Sequence, residues 1–424
     1  MKLNTPENVN YAATVVRVRR INQLANCDNV VGLPLLGFQA IVSKDTQVDD
    51  LVVVFGAETQ LSLEYAAANS LHRHAELNAD PEKKGYLENN RRVKALKFRG
   101  HRSDALAMPL SSLAYLGIDV TQLNEGDTFD AIDGREVCRK YVVRQSSGRG
   151  PSNQPKKVGE PRVDEKLFPK HFDTTSFFRA PELITLADGD VVITQKLHGT
   201  SLRVGHTLVA RKLTWRDRIA RFFGAQVQQQ EWAYIYGSRN VVKDPDSPSG
   251  HDFYGTDLYS QIGQQLKGAL PKGFLVYGEV IGWVPDTDMP IQRGYTYRLP
   301  VGTARLYVYR VVTVNPDGQA VDLSWTALKE FCANVGLHVV PELKVALWAS
   351  EELVQEFMDV RYADEYSAAL PTDGDMVDEG ICLRVEGITP TVVKAKSPEF
   401  LRHETKLLDQ GVEDMESVEM EVAA

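Results

Sequence analysis

Val191-Val192-Ile193-Thr194-Gln195-Lys196-Leu197-His198-Gly199-Thr200-Ser201 is the stretch that decides the reading of this chain. Its apolar and β-branched first half predicts a buried strand over Asp190 to Gln195. That strand delivers one lysine into a turn that ends at glycine. A lone K-x-x-G is a weak signal, since a solvated turn lysine is the ordinary explanation. Three further segments give it weight: Tyr277-Gly278-Glu279-Val280, Asp378-Glu379-Gly380-Ile381-Cys382-Leu383-Arg384 and Val392-Val393-Lys394-Ala395-Lys396.

Around this core the chain alternates β-like runs (Phe274 to Ile281, Ala304 to Val314, Gly380 to Val385, Thr391 to Ala395) with helical patterns at Ser324 to Val335 and Glu351 to Asp359. An α+β domain is expected over 171–405. Upstream, residues 144–170 are rich in Ser, Gly, Pro and charge and lack apolar periodicity, so 146–170 is expected to be a linker. Before it, short runs at Ala13 to Ile21, Phe38 to Ser43, Leu51 to Phe55, Val93 to Phe98 and Ala105 to Leu110 predict a small OB-like β-barrel over 1–145. Residues 406–424 are acidic and weakly patterned, which predicts a tail after a short helix.

The 424 residues carry a formal net charge of −9, so any nucleic-acid contact has to come from a local patch. Such a patch is offered by Arg91, Arg92, Lys94, Lys97, Arg99 and Arg102, with Tyr86 and Phe98 interleaved, a mixture that suits phosphates and bases. The long stretch between Gly199 and Arg239 holds a second basic and aromatic run, Arg211 to Phe223, which reads either as a substrate clamp or as a surface helix. Four scattered cysteines with no C-x-x-C pair and no signal peptide suggest a reducing, cytoplasmic setting. No apolar run is long enough to span a bilayer. His72 and His74 lack a third ligand at metal-like spacing and read as surface histidines.

In order and residue type, the segments at Lys196, Glu279, Glu379 and Lys394 resemble motifs I, III, IV and V of the covalent nucleotidyltransferase superfamily of DNA ligases, RNA ligases and mRNA capping enzymes. The resemblance implies that Lys196 is the nucleophile that takes AMP from ATP. It implies that Glu379 holds Mg²⁺ or Mn²⁺, that Lys394 and Lys396 meet the phosphates, and that Glu279 reaches the ribose or the metal. Gln195 and Gly199 would flank the nucleotide, as would Arg239 in Ser238-Arg239-Asn240, which resembles motif Ia. Tyr307 or Tyr309, which fall on one strand face, would stack on the base. Chemically, a free lysine with a pKa near ~10.4 is almost fully charged at neutral pH. Lys196 therefore needs neighbouring cations and partial burial to become an amine nucleophile.

The layout resembles the Deinococcus radiodurans type of RNA ligase, with an N-terminal OB domain before the adenylyltransferase domain. Only 28 residues follow Lys396, too few for the C-terminal OB domain of DNA ligases. The resemblance thus implies an ATP-dependent RNA ligase that seals 5′-phosphate and 3′-hydroxyl ends, with an RNA or RNA/DNA nicked duplex as partner. A capping-type guanylyltransferase, an ATP-dependent DNA ligase and a non-enzymatic nucleic-acid binding protein are the alternatives. Two departures stand out: His198 occupies the place of an aspartate usual in DNA ligases, and Arg384 takes the place of a downstream lysine.

Overall fold

The computed structural model describes residues 1–143, 162–187, 189–239, 241–243, 257–362, 368–371 and 376–412. They fall into two units, one of Met1–Arg144, Thr175–Pro181 and Lys396–Glu413, the other of Gln145–Thr174, Glu182–Ala395 and Asp414–Ala424.

In the first unit the β-branched run Leu51–Gly56 lies in the middle of a seven-stranded sheet, between Ala13–Arg17 and Ala105–Pro109. Its Val53, Val54 and Phe55 are fully buried because both faces of this central strand are covered. Phe38–Ser43 pairs with Ala105–Pro109 in parallel and with Val30–Leu35 antiparallel. Among the described residues no pairing closes this sheet into a barrel, so the expected OB-like barrel appears as an open sheet. The run at Val93 to Phe98 forms only the short strand Leu96–Phe98, paired with His101–Ser103 in a separate hairpin. Val93 and Ala95 are instead drawn into the interior.

The expected tail is also corrected in part. Pro398–Asp409 is a helix of the first unit, with proline at its start, where no N–H is needed. Most of the acidic segment, 413–424, lies outside the described residues. A buried polar cluster ties the helix down. Thr405 donates its hydroxyl to Glu58 at 2.6 Å and accepts from the Ala95 N–H at 3.1 Å. The Arg92 guanidinium lies 3.3 Å from Glu58, also pairs with Asp409, and sits 4.8 Å from the Tyr141 ring centre.

In the second unit, Thr391–Lys396, Gly380–Val385, Asp190–Gln195 and Glu342–Leu347 lie side by side in one sheet. A second sheet runs Val242–Lys243, Gln230–Gly237, Thr200–Ala210, Phe274–Gly282, Ala304–Val314 and Ala320–Asp322, with His338–Val339 alongside Ala304–Val314. The strands at 190–195, 304–314 and 380–385 have the bounds their apolar runs predict. Trp325–Val335 is the expected helix, capped by the Ser324 side chain and ended by Gly336 in the left-handed region. The helix expected at Glu351 to Asp359 shortens to Glu352–Gln355.

The linker is corrected as well. Residues 144–161 lie outside the described residues, but Val163, Leu167 and Phe168 are buried against the second sheet. Arg203 holds them by donating to the Phe168 carbonyl at 3.0 Å with its guanidinium 4.6 Å from that ring. Sequence periodicity cannot show such anchoring, because three apolar residues in a polar stretch have no repeat.

Burial pushes the Glu58 carboxyl up to about 7, against the opposing pull of Arg92 and the Thr405 hydroxyl. The unfolded carboxyl ionises first, so this stabilisation is complete below the ordinary value of 4.5 and is lost as pH rises to about 7. Glu58→Gln should therefore gain stability relative to the wild type across that window and level off above it, by at most about 1.4 kcal/mol per pH unit. Urea unfolding of both proteins at several pH values checks this, and a constant difference would mean that Arg92 keeps Glu58 ionised throughout.

Candidate active site

Lys196-Leu197-His198-Gly199 is the short crossing that carries the chain from the strand Asp190–Gln195 of one sheet into Thr200–Ala210 of the other. Its backbone is fixed at both ends. The Lys196 N–H donates to the Gly380 carbonyl at 2.9 Å, and the Gly199 N–H donates to Glu279 Oε1 at 3.0 Å. Between them the His198 N–H donates to the Tyr297 hydroxyl at 2.7 Å. Gly199 is required here: a Cβ would lie 2.2 Å from the Val280 carbonyl oxygen.

The crossing presents Lys196 to Glu379, with Nζ 2.7 Å from Oε1, and places His198 Nδ1 3.7 Å from Oε2. Glu379 is buried while the Lys196 side chain keeps partial access to solvent. Glu279 is partly buried in its apolar strand, and its second oxygen accepts from Ser201 Oγ at 3.2 Å. Burial pushes the Cys382 thiol up to about 11, with Lys196 and Lys394 pulling it down and Glu379 and Glu279 pushing it further up. The charges of all four side chains thus act on this one thiol.

Other expected residues have different surroundings. Lys394 alternates with the buried Val393 and Ala395, so its side chain leaves the sheet on the opposite face. Lys396 belongs to the first unit, where its ammonium lies 3.1 Å from Glu404. Gln195 corrects the sequence reading: it is buried, and its amide donates to Asp378 at 2.7 Å and to the Ala368 carbonyl at 3.0 Å, so it braces the segment before Glu379. Burial pushes the Asp378 carboxyl up to about 6 despite hydrogen bonds from the Tyr362 N–H and Gln195. Arg239 pairs with Asp173, and Asn240 lies outside the described residues. Arg384 is committed to Glu386 at 2.9 Å and to the Leu323 carbonyl at 2.7 Å.

Tyr307 stands opposite Glu279 in the sheet register and is fully buried beside His338. Tyr309 is half-buried with its ring 5.0 Å from His171, next to a register shift that sets Tyr277 against Arg310 and Gly278 against Val308. Residues that sequence reasoning missed are Tyr297, Tyr295, Gln292, Ser201 and Cys382. Gln292 donates to the Gly199 carbonyl at 2.8 Å, and the His198 ring meets Tyr295 edge-on at 4.9 Å. The available signal was the pair of tyrosines in the Gly/Pro-bounded loop before the strand Ala304–Val314. Tyr297 there has φ of 51°, a left-handed conformation a bulky residue adopts only under constraint.

The basic segment of the first unit is largely compensated. Arg92 is 1% exposed, so it is an interior ion-pair partner and not a surface contact for nucleic acid. Lys94 lies 2.9 Å from Glu88 and 2.8 Å from Asp409, and Lys97 lies 3.0 Å from Glu399. Arg91 donates to the Leu61 and Asn89 carbonyls, and Arg99 donates to the Asn26 carbonyl. His72 is buried and His74 exposed, which corrects the expectation of two surface histidines. All four cysteines are free. Among the described residues no three His, Cys, Asp or Glu side chains are placed to hold a metal, and no helix is long and apolar enough to cross a membrane.

Comparison with known proteins bears on the fold and the family. Residues 189–396 match the RNA ligase family model. Among solved structures, Naegleria gruberi RNA ligase is similar: the apo form of one mutant has a TM-score of 0.59 at 14% identity, covering 94% of this chain and 99% of that one. The same enzyme with PPi has a TM-score of 0.57 at 15% identity, covering 93% of this chain and 99% of that one. A further mutant with ATP and Mn has a TM-score of 0.57 at 14% identity, covering 94% and 98%. At such identity the likeness speaks for the fold. No curated protein matches the chain. Residues 189–396, just under half of the chain, are thus similar to the RNA ligase family.

Proposed function

We propose that this chain is an ATP-dependent RNA ligase that joins 5′-phosphate and 3′-hydroxyl ends, with Lys196 as the nucleophile. The carrying observation is the position of Lys196 at the crossing between the two sheets, with its ammonium 2.7 Å from the buried Glu379 carboxylate and its backbone held by Gly380. That Naegleria gruberi RNA ligase has been seen with ATP and Mn supports the choice of nucleotide.

Lys196 Nζ attacks the α-phosphorus of ATP, the bond to pyrophosphate breaks, and lysyl-AMP forms. AMP then passes to a 5′-phosphate end, and the 3′-hydroxyl displaces AMP to make the phosphodiester. For the first step Lys196 must lose a proton. Glu379 at 2.7 Å favours the ammonium form, so a neighbouring cation or the loss of that carboxylate has to offset it. A shift of about three pKa units corresponds to roughly 4 kcal/mol of differential stabilisation.

A buried carboxylate with a second carboxylate nearby, and no third protein ligand among the described residues, fits a Mg²⁺ or Mn²⁺ ion that completes its shell with phosphate oxygens and water. Held by Glu379 with Glu279 beside it, such an ion would neutralise phosphate charge. Glu279 also keeps Gly199 and Ser201 in place, Tyr307 or Tyr309 would stack on the adenine, and Arg239 would meet the nucleotide or the incoming phosphate. Lys396 would join the phosphates if Glu404 released it.

A nicked RNA or RNA/DNA duplex is the substrate that best suits the layout, which resembles the Deinococcus radiodurans type. Arg91, Lys97 and Arg99 are the candidates for strand contact in the first unit. Point substitution tests them better than deletion of residues 1–145, because Pro398–Asp409 folds with that unit. The four free cysteines suit a reducing, cytoplasmic setting.

Lys196→Ala should fold normally, form no AMP adduct with ATP and a divalent ion, and regain some sealing on a pre-adenylylated strand. Intact mass and gel-resolved products read both outcomes, and an adduct at wild-type level would remove Lys196 from its role. With GTP in place of ATP, a strong adduct would favour the guanylyltransferase reading.

Glu379→Ala and Lys394→Ala should each slow adenylylation at least about tenfold, near 1.4 kcal/mol of barrier. Rates near wild type for both at saturating ATP would break the assignment of this cluster.

Nicks whose 3′-terminal nucleotides are ribose should be sealed about five- to a hundredfold faster than all-DNA nicks, because a 2′-hydroxyl hydrogen bond of roughly 1 to 3 kcal/mol orients the attacking oxygen. Equal rates on matched nicks would end the RNA preference and leave the lysyl-AMP chemistry standing.

A further inference from the structure

Between the strands Thr200–Ala210 and Gln230–Gly237 the chain forms a helix, Trp215–Phe222, none of whose residues is buried. The helix is nonetheless well specified: Thr214 and Asp217 make a reciprocal capping box at its start. Trp215 and Phe222 each stand about one turn from Ile219, four residues before and three after it, so the three share a face. That face is open, with Trp215 66%, Ile219 47% and Phe222 85% exposed, and Phe223 follows at 79%. Leaving so much aromatic surface in water is unfavourable, and such patches mark contact sites.

The charge around this face is one-sided. Arg216, Arg218 and Arg221 are exposed, and Arg216 lies over the Trp215 ring at 5.4 Å. The helix's one carboxylate, Asp217, pairs with Arg211 at 2.7 Å. A polyanion with stackable planar groups complements such a surface, since arginine binds phosphate and aromatic rings stack on bases.

The hairpin also sets the reach of the helix. Thr200 directly follows the crossing that carries Lys196, and Thr200–Ala210 spans 11 residues, about 30 to 35 Å at roughly 3.3 Å per residue. At about 3.4 Å per base pair, that equals the length of about nine or ten base pairs.

We propose that Trp215–Phe222 with Phe223 is a binding surface for the nucleic-acid strand that flanks the join, about nine base pairs from the reacting ends. This rests on the ligase reading for its substrate, while the binding test below stands without it. An eight-residue helix is short for lying in a membrane interface, where such helices often run to about 20 to 30 residues.

The experiment compares the wild type with Arg216→Ala/Arg218→Ala/Arg221→Ala and with Trp215→Ala/Phe222→Ala/Phe223→Ala in the full chain. Circular dichroism and AMP-adduct formation should be unchanged, because the helix buries nothing. Binding to a nicked RNA duplex with arms of about 20 base pairs should weaken at least tenfold in both. The arginine variant should also lose about two to three in the slope of log K against log salt, as expected for three lost phosphate contacts on a duplex. With arms of about six base pairs all three proteins should bind alike.

In sealing assays on a pre-adenylylated nick, KM should rise on long arms with kcat little changed. Wild-type binding by the variants on long arms, or equal weakening on short and long arms, would overturn the proposal. So would retention of the wild type, but not the aromatic variant, on phosphatidylserine vesicles with RNA binding intact. A wild type that binds long arms through this helix but joins no ends would instead count against the ligase reading alone.

Discussion

The crossing from Lys196 to Gly199 is the constraint on which the site depends. Two sheets are joined there by a few residues of backbone, and four of its backbone groups have assigned partners: Gly380 for the Lys196 N–H, Tyr297 for the His198 N–H, Glu279 for the Gly199 N–H, and Gln292 for the Gly199 carbonyl. With no Cβ at Gly199 the chain can pass close to the Val280 carbonyl. A side chain carried on a backbone held this way loses little further freedom when a ligand meets it.

The electrostatics of the site work through opposition. Glu379 is buried against Lys196, and an ion pair so placed stabilises both charges while it lasts. Lys394 and Glu279 bear on the neighbouring Cys382 thiol with opposite signs, so the charges acting on it are mixed. Asp378, one residue before Glu379, is kept out of this contest by Gln195 and Tyr362, which hold its oxygens in the interior.

The first unit shows charge used differently. Arg92, Glu58, Thr405 and Asp409 join segments far apart in the chain through ion pairs and hydrogen bonds in a buried cluster. Removing one partner from such a cluster leaves the others uncompensated, so its value lies in fixing which segments meet. The helix at 215–222 is the contrast, with its cations and aromatics left in solvent.

Sequence alone determined the strands whose apolar runs are continuous, at 190–195, 304–314 and 380–385, because burial of both faces writes itself into composition. It also offered Lys196, Glu279, Glu379 and Lys394 as candidates, through their resemblance in order and type to the motifs of the nucleotidyltransferase superfamily. Tertiary structure decided what each polar residue faces. Arg92 and Lys97 look alike in the sequence, yet one is an interior partner of Glu58 and the other pairs at the surface with Glu399. Gln195 is adjacent to Lys196 but turns to Asp378, and Tyr297, about a hundred residues away in the chain, holds the His198 backbone. The physical reason is that periodicity records which face of an element is buried, whereas partners across sheets and loops are chosen by close packing of segments distant in sequence, which no local pattern encodes.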